Sequence, residues 1–179
     1  MVITDFLERN ARLHPDDVAL VEINPANQPS PNTTWREFSL IESTPGGKYR
    51  REMTWRDFDV KANRFANLLM TRGVKKGDKV AILLMNCLEW LPIYFGVLKT
   101  GALAVPMNYR YSADEIKYCS ELADVSVLVF GPEFTERVES VFMDLPMLKN
   151  RFFVGKDVPA FADSYDEMVT YCSSIAPAV

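Results

Sequence analysis

A parallel-sheet α/β fold is the class this sequence predicts, and three observations carry that reading. Short apolar runs recur between residues 80 and 155 as "VAILLM", "ALAVP", "VSVLVF" and "RFFVG". Segments with helical spacing or helix-start chemistry separate them. An alternation of strand and helix requires parallel strands joined by crossover helices. With 179 residues, 48% of them apolar, the chain is long enough for one packed domain and too apolar to be disordered.

The elements follow in order. A first helix is expected from about Thr4 to Leu13, with Thr4 and Asp5 placed to cap it. "VALVEI" at 18–23 is β-branched enough for a strand, and "NPANQPSPNTT" at 24–34 reads as a loop. Two similar pentapeptides come next, "TWREF" at 34–38 and "TWRDF" at 54–58. The first leads through "SLIES" to "TPGG" and "KYRREM", a hairpin pattern turning at Pro-Gly-Gly. The second opens a helix: Thr54 and Asp57 form a capping box, and Phe58, Ala62, Phe65 and Leu69 recur at helical spacing. Gly73 stops that helix as a left-handed residue beyond its last turn. The likeness of the pentapeptides is coincidental and marks no structural period.

From residue 74 the rhythm becomes regular. The run at 80–85 is expected to be a strand covered on both faces. A helix over about 88–100 carries Trp90, Leu91, Tyr94, Phe95 and Leu98 around most of its circumference and is expected to be buried, with Pro92 kinking it or delaying its start. Strands at 102–106 and about 126–130 flank a helix over 113–123 that opens with the Ser112–Glu115 capping box. Pro132 begins another helix, and residues 151–155 form a fourth strand. Three parts result: residues 1–53 hold helix, strand and hairpin insertion, 54–155 the βαβ core, and 156–179 a helical tail.

Composition narrows the function. The net charge of −4 offers no basic stripe for nucleic acid. Asp5, Glu8 and Arg9 interrupt the N-terminus, so no secretory leader is expected. The segment from Val80 to Leu98 is the most membrane-like, but Asn86, Glu89 and Pro92 divide it into strand and helix, so no membrane span is expected. Cys87, Cys119 and Cys172 are odd in number and widely spaced, which fits free thiols in a reducing cytoplasm. The one histidine, His14, precedes Pro15 and is read as a capping or surface residue.

"GVLKTGALAVPMN" at 96–108 looks at first like a phosphate loop. Such a loop needs Lys and Ser or Thr directly after its second glycine, at a strand-to-helix turn. Here Ala102 and Leu103 follow Gly101, and the pair lies at a helix C-terminus, where carbonyls repel phosphate. Gly101 is expected at the C′ position with Lys99 favouring the helix end, and Gly96 admits a neighbouring element. Lys75, Lys76 and Lys79 around Gly77-Asp78 are read as a solvated turn. Asn108, Arg110 and Tyr111 follow the carboxyl end of a strand, where open α/β sheets place their sites. The structural reading is that Asn108 shapes a turn and Arg110 pairs with Asp114 or Glu115. Trp90, Tyr94 and Phe95 could wall an acyl pocket, and are read as core.

Three segments in order carry a resemblance: "HPDDVALV", "MTWRDFDVKANRFANLLMTRGVKKGDKVAILLMNCLEW" and "GVLKTGALAVPMNYRYSADEIKYCSELADVSVLVF". Over about residues 3–143 the chain resembles the large N-terminal domain of the adenylate-forming enzymes, with "VPMNYR" closer to acyl-CoA synthetases than to peptide-synthetase adenylation domains. The resemblance implies ATP-dependent activation of a carboxylic acid, with Mg²⁺ and coenzyme A. It also implies a Ser/Thr/Gly-rich phosphate loop, a ribose-binding acidic residue and a lysine on a mobile C-terminal domain. None of these is recognisable in the sequence, so no catalytic, cofactor-binding or metal-binding residue is assigned. The chain alone is expected to be inactive and to self-associate through an uncovered apolar face. A stand-alone flavodoxin-like binding module is the alternative, and would need an anion-binding loop where "NCLEW" follows "VAILLM".

Overall fold

The computed structural model describes residues 2–23 and 50–178. The chain divides into two compact units, residues 1–59 and 60–179. In the first unit, α1 (Ile3–Leu13) starts one residue earlier than expected. Its cap is made in reverse: the Asp5 carboxylate reaches back to accept the Val2 N–H at 2.9 Å. An acid in the first turn also complements the helix dipole. The exposed His14 sits just past the helix, its Nδ1 3.4 Å from Asp17 Oδ2. β1 (Val18–Ile23) pairs antiparallel with β2 (Arg50–Thr54), with Glu22 opposite Arg51 in register. The expected partner of "RREM" across the Pro-Gly-Gly turn lies outside the described residues, as does most of the hairpin insertion.

α2 (Trp55–Thr71) is fixed at both ends by local chemistry. Thr54 Oγ1 accepts the Asp57 N–H at 3.1 Å and donates to the Asp57 carboxylate at 2.9 Å. At the other end Gly73 has φ +83°. Its N–H reaches Met70 O, and Val74 N–H reaches Leu69 O, both at 3.0 Å, which completes a Schellman motif. Phe58, Ala62, Phe65 and Leu69 are all buried, as their spacing requires.

The second unit is built on five strands: β3 (Lys79–Leu83), β4 (Leu103–Pro106), β5 (Val125–Phe130), β6 (Asn150–Phe153) and β7 (Asp163–Ser164). Their spatial order is β4-β3-β5-β6-β7, and every pairing is parallel. α3 (Trp90–Lys99) connects β3 to β4, and α4 (Ala113–Ala123) connects β4 to β5 across the β3 position. The period of two assigns the core. Val80 and Ile82 join one apolar cluster with Ile93 and Val97, and Ala81 and Leu83 join the other with Ile116 and Phe134. An uninterrupted apolar strand is thus covered on both faces, as its composition demands.

Three expectations are corrected. α3 is buried only along one stripe: Pro92, Ile93, Gly96 and Val97 are enclosed, whereas Trp90, Leu91, Tyr94, Phe95 and Leu98 are half-exposed. The helix after Pro132 is a 3₁₀ turn (Pro132–Phe134) running into a short α5 (Thr135–Glu139). Residues 156–179 are not a helical tail throughout: they supply β7 and then α6 (Tyr165–Thr170), which starts at Ser164, whose side chain accepts the Glu167 N–H.

Side-chain amides hold the end of the chain. Asn63 Nδ2 donates to Ser174 O at 3.0 Å, and Asn67 Nδ2, one helical turn on, donates to Ser173 O and Ile175 O at 2.9 Å.

Candidate functional site

The strand order reverses at β3, which has β4 on one side and β5 on the other. Crossovers leaving in opposite directions open a crevice at the carboxyl ends of such strands, where α/β sheets place ligands. Three loops form that edge here: residues 84–89 after β3, 107–112 after β4, and 131–134 after β5.

The first loop leads into α3 through Glu89, a largely buried carboxylate 3.8 Å from Lys61 Nζ. A carboxylate at the helix start is the opposite of what an anion-binding turn needs. The flavodoxin-like alternative therefore finds no support in this loop. Close by, the fully buried Tyr165 hydroxyl has no hydrogen-bond partner. Burial first, and then the charges of Glu89 and Asp166, push its pKa well above the usual phenol value.

The second loop is shaped by Asn108. Its Oδ1 accepts the Arg110 N–H at 2.9 Å, and its carbonyl accepts the Tyr111 N–H at 3.0 Å. Asn108 therefore does shape a turn, by the side-chain-to-backbone bond at i+2 that Asn favours. The expected pairing of Arg110 with a helix carboxylate is not formed. Glu115 instead accepts the Ser112 N–H at 2.8 Å, and that backbone bond lowers its pKa. The Arg110 Nε donates to the Tyr109 hydroxyl at 2.9 Å, and its guanidinium lies over the same ring, 5.4 Å from the centroid. The guanidinium is exposed and has no carboxylate partner among the described residues. Tyr111 packs instead against the second apolar cluster, as Cys119 does, and the nearby thiol raises the phenol pKa.

The third loop meets the second through a residue the sequence did not single out. Arg137, on α5, donates to Tyr109 O and Tyr111 O. Its partners are main-chain carbonyls, and no sequence pattern records those.

The other candidates are structural. Gly101 has φ +74° directly after the α3 C-cap, and Lys99 is buried in the last turn, so this stretch is a helix stop. At Gly96 an added Cβ would stand 2.9 Å from Ala62 O, so glycine is there to let α2 and α3 touch. Lys75 and Lys76 lie on an exposed turn closed by Asp78, which accepts the Lys75 N–H at 2.8 Å. Lys79 instead lines a polar cavity of about 180 Å³ with Arg72, Asp124, Ser126 and Lys149, near the amino ends of β3 and β5. Trp90 and Tyr94 stack with centroids 5.5 Å apart against the core, and Phe95 meets Tyr94 edge-on at 6.1 Å. Among the described residues no three His, Cys, Asp or Glu side chains converge in a way that could hold a metal ion.

Comparison with known proteins gives this geometry its context. Over 89 residues, half of this chain and 16% of the relative, the sequence is 40% identical to a medium/long-chain-fatty-acid–CoA/3-oxocholest-4-en-26-oate–CoA ligase of Mycolicibacterium smegmatis. Over 99 residues, 55% of this chain and 19% of the relative, it is 35% identical to a crotonobetaine/carnitine–CoA ligase of Salmonella paratyphi C. The chain thus spans less than a fifth of the length of these curated relatives. The crystal structure of the anthranilate–CoA ligase AuaEII with anthranoyl-AMP superposes with a TM-score of 0.80 at 27% identity, over 98% of this chain and 29% of that one. The sequence signature of AMP-binding enzymes matches residues 7–168. With that match covering most of its length and its strands in a matching arrangement, the chain belongs to the AMP-binding enzyme family.

Proposed function

We propose that this chain is the front portion of the large domain of an AMP-forming acyl-CoA ligase. The observation that carries the reading is the family match over residues 7–168, joined to relatives that are CoA ligases in sequence and in fold. The run "VPMNYR", which begins in the last two residues of β4, favours this over a peptide-synthetase adenylation domain. In the proposed reaction a carboxylate oxygen attacks the α-phosphorus of ATP, and the bond to pyrophosphate breaks. The sulfur of coenzyme A then attacks the acyl carbonyl, losing its proton as the bond to AMP breaks. The substrate class is a carboxylic acid, with fatty acids suggested by the M. smegmatis relative's name.

The residues described here act as scaffold for that chemistry. Among them no three His, Cys, Asp or Glu side chains converge. The Ser/Thr/Gly-rich run of the sequence, "STPGG" at 43–47, reads as a hairpin turn rather than as donors that take the place of water around a triphosphate. We therefore place ATP, Mg²⁺ and the acyl-transfer centre on other parts of the enzyme, and assign no catalytic residue to this chain. Arg110, exposed at the carboxyl edge and without a carboxylate partner among the described residues, is the side chain best placed to meet an anionic group of a reactant. No described helix is long and apolar enough to cross a membrane, and the three cysteines are free thiols; both support a cytoplasmic setting.

A chimera tests the reading directly. This chain would replace the matching segment of the M. smegmatis ligase, and thioester formation from a fatty acid, Mg·ATP and coenzyme A would be followed. Retained activity is expected; a folded but inactive chimera counts against it. Calorimetric titration of the 179-residue chain with Mg·ATP should show no tight binding, and micromolar affinity would show that the phosphate site lies within it.

A further inference from the structure

We propose that Arg137 is a positioning residue, which ties the loop after β4 to the turn after β5 and so holds Arg110 in place at the carboxyl edge. The proposal rests on the reading of Arg110 given above, and the experiment below separates the two. Arg137 Nη1 donates to Tyr109 O at 3.1 Å and to Tyr111 O at 2.6 Å. Those are the carbonyls on either side of Arg110. Nη2 donates to Glu133 O at 3.1 Å, and the guanidinium lies over the Phe134 ring, 4.8 Å from its centroid.

The arrangement uses what only arginine has. A planar fork presents several donors in fixed directions while its flat face stacks on an aromatic ring. An ammonium at the same place would keep the charge but offer a single nitrogen. Carbonyls in irregular loops have no ladder partner, so a donor that takes two of them also settles the path between them. From inside the loop, Asn108 fixes the N–H groups of Arg110 and Tyr111. From outside, Arg137 fixes the carbonyls of Tyr109 and Tyr111. The backbone is therefore held at the Arg110 N–H and at the carbonyls of both neighbouring residues. Its guanidinium, turned onto the Tyr109 ring, remains exposed.

Amide hydrogen exchange on the 179-residue chain tests this, in the parent and in the Arg137→Gln and Arg137→Lys variants. In Arg137→Gln, exchange at Arg110 and Tyr111 should accelerate by about tenfold or more, while Val80, Ile82, Val127 and Val129 in the sheet change little. Arg137→Lys should fall between. Unchanged exchange at Arg110 and Tyr111, or a rise no larger than that of the sheet, overturns the proposal. If Arg137→Gln does not fold, the lysine variant decides by the same criterion. A titration with inorganic pyrophosphate, read at the Arg110 Nε signal, adds a response that a merely structural role would not move. The signal should shift in the parent and shift less in Arg137→Gln. Equal shifts in the two would overturn the positioning role. No shift in the parent would remove the anion reading of Arg110, leaving the exchange data to decide on Arg137.

Discussion

Two crossover helices of the sheet, α3 and α4, are placed by different means. α4 begins with a reciprocal capping box, in which Ser112 and Glu115 each accept the other's N–H. It ends on Asp124 in the left-handed conformation, and it leaves Tyr118 and Leu122 uncovered. α3 has no side-chain cap at its start, holds Pro92 in its first turn, and is set by a glycine pressed against α2. One helix is placed by its own ends, the other by its neighbour. The first kind of information is local in sequence, and the second belongs to the packed molecule.

Mutations can break this contrast, and the largest effect should come at the packed helix. Gly96→Val forces a branched side chain toward backbone that cannot swing aside, with Ala62 O only 2.9 Å from the new Cβ. A loss of about 3 kcal/mol is expected in urea titration, as for overpacking at a tight contact. A midpoint shift below that of the next variant would show that α2 and α3 can separate freely. Gly101→Val puts a β-branched residue at φ +74° and beside the Lys76 stem, and about 2 kcal/mol should be lost. An unchanged unfolding midpoint would mean that the helix stop tolerates another conformation.

At the self-capped helix the effect should be smaller. Ser112→Ala removes one acceptor and should lower stability by about 1 kcal/mol. It should also change the response to acid. Glu115 has its pKa lowered, chiefly by the Ser112 N–H, so its contribution is present above the ordinary carboxylate pKa and is lost as pH falls through the lowered folded value. Ser112→Ala keeps that N–H and removes only the lesser side-chain bond, so stability across the acid range should fall only slightly less steeply than in the parent, and a complete loss of the acid dependence would count against the linkage. The smallest effect on stability should come from the uncovered face. Tyr118→Ser with Leu122→Ser should stay within about 0.5 kcal/mol of the parent for each change. Those same changes should weaken the self-association that we propose for this chain. Sedimentation at several concentrations reads it, and a strictly monomeric parent would exclude it.

The same contrast explains what could be read in advance. Thr54–Asp57 and Ser112–Glu115 were legible because a cap is written within four residues. The strands were legible because "VAILLM" and "VSVLVF" are covered on both faces and show it by composition. α3 was read as more buried than it is, since an apolar circumference does not say which side has a neighbour. Ser164 and Glu167 carry the same helix-start spacing as Ser112 and Glu115, in a segment whose composition does not set the helix apart from the tail around it. At the candidate site, Asn108 was legible as a turn former. Arg110 was given the wrong partner: the tyrosine beside it replaced the carboxylates on the helix. Arg137 left no trace, because carbonyls look the same in every sequence.

The amides of Asn63 and Asn67 carry a consequence for the order of folding. Asn67 and Ser173 are 106 residues apart in the chain. Closing so long a loop has an entropic cost that grows with the logarithm of its length, and no local contact offsets it. The sheet, whose neighbouring strands are closer in sequence, has to assemble before those donors have carbonyls to meet. The clamp on the last residues is therefore expected to close late in folding and open early in unfolding, so that the course of the chain beyond the sheet is settled only after everything before it.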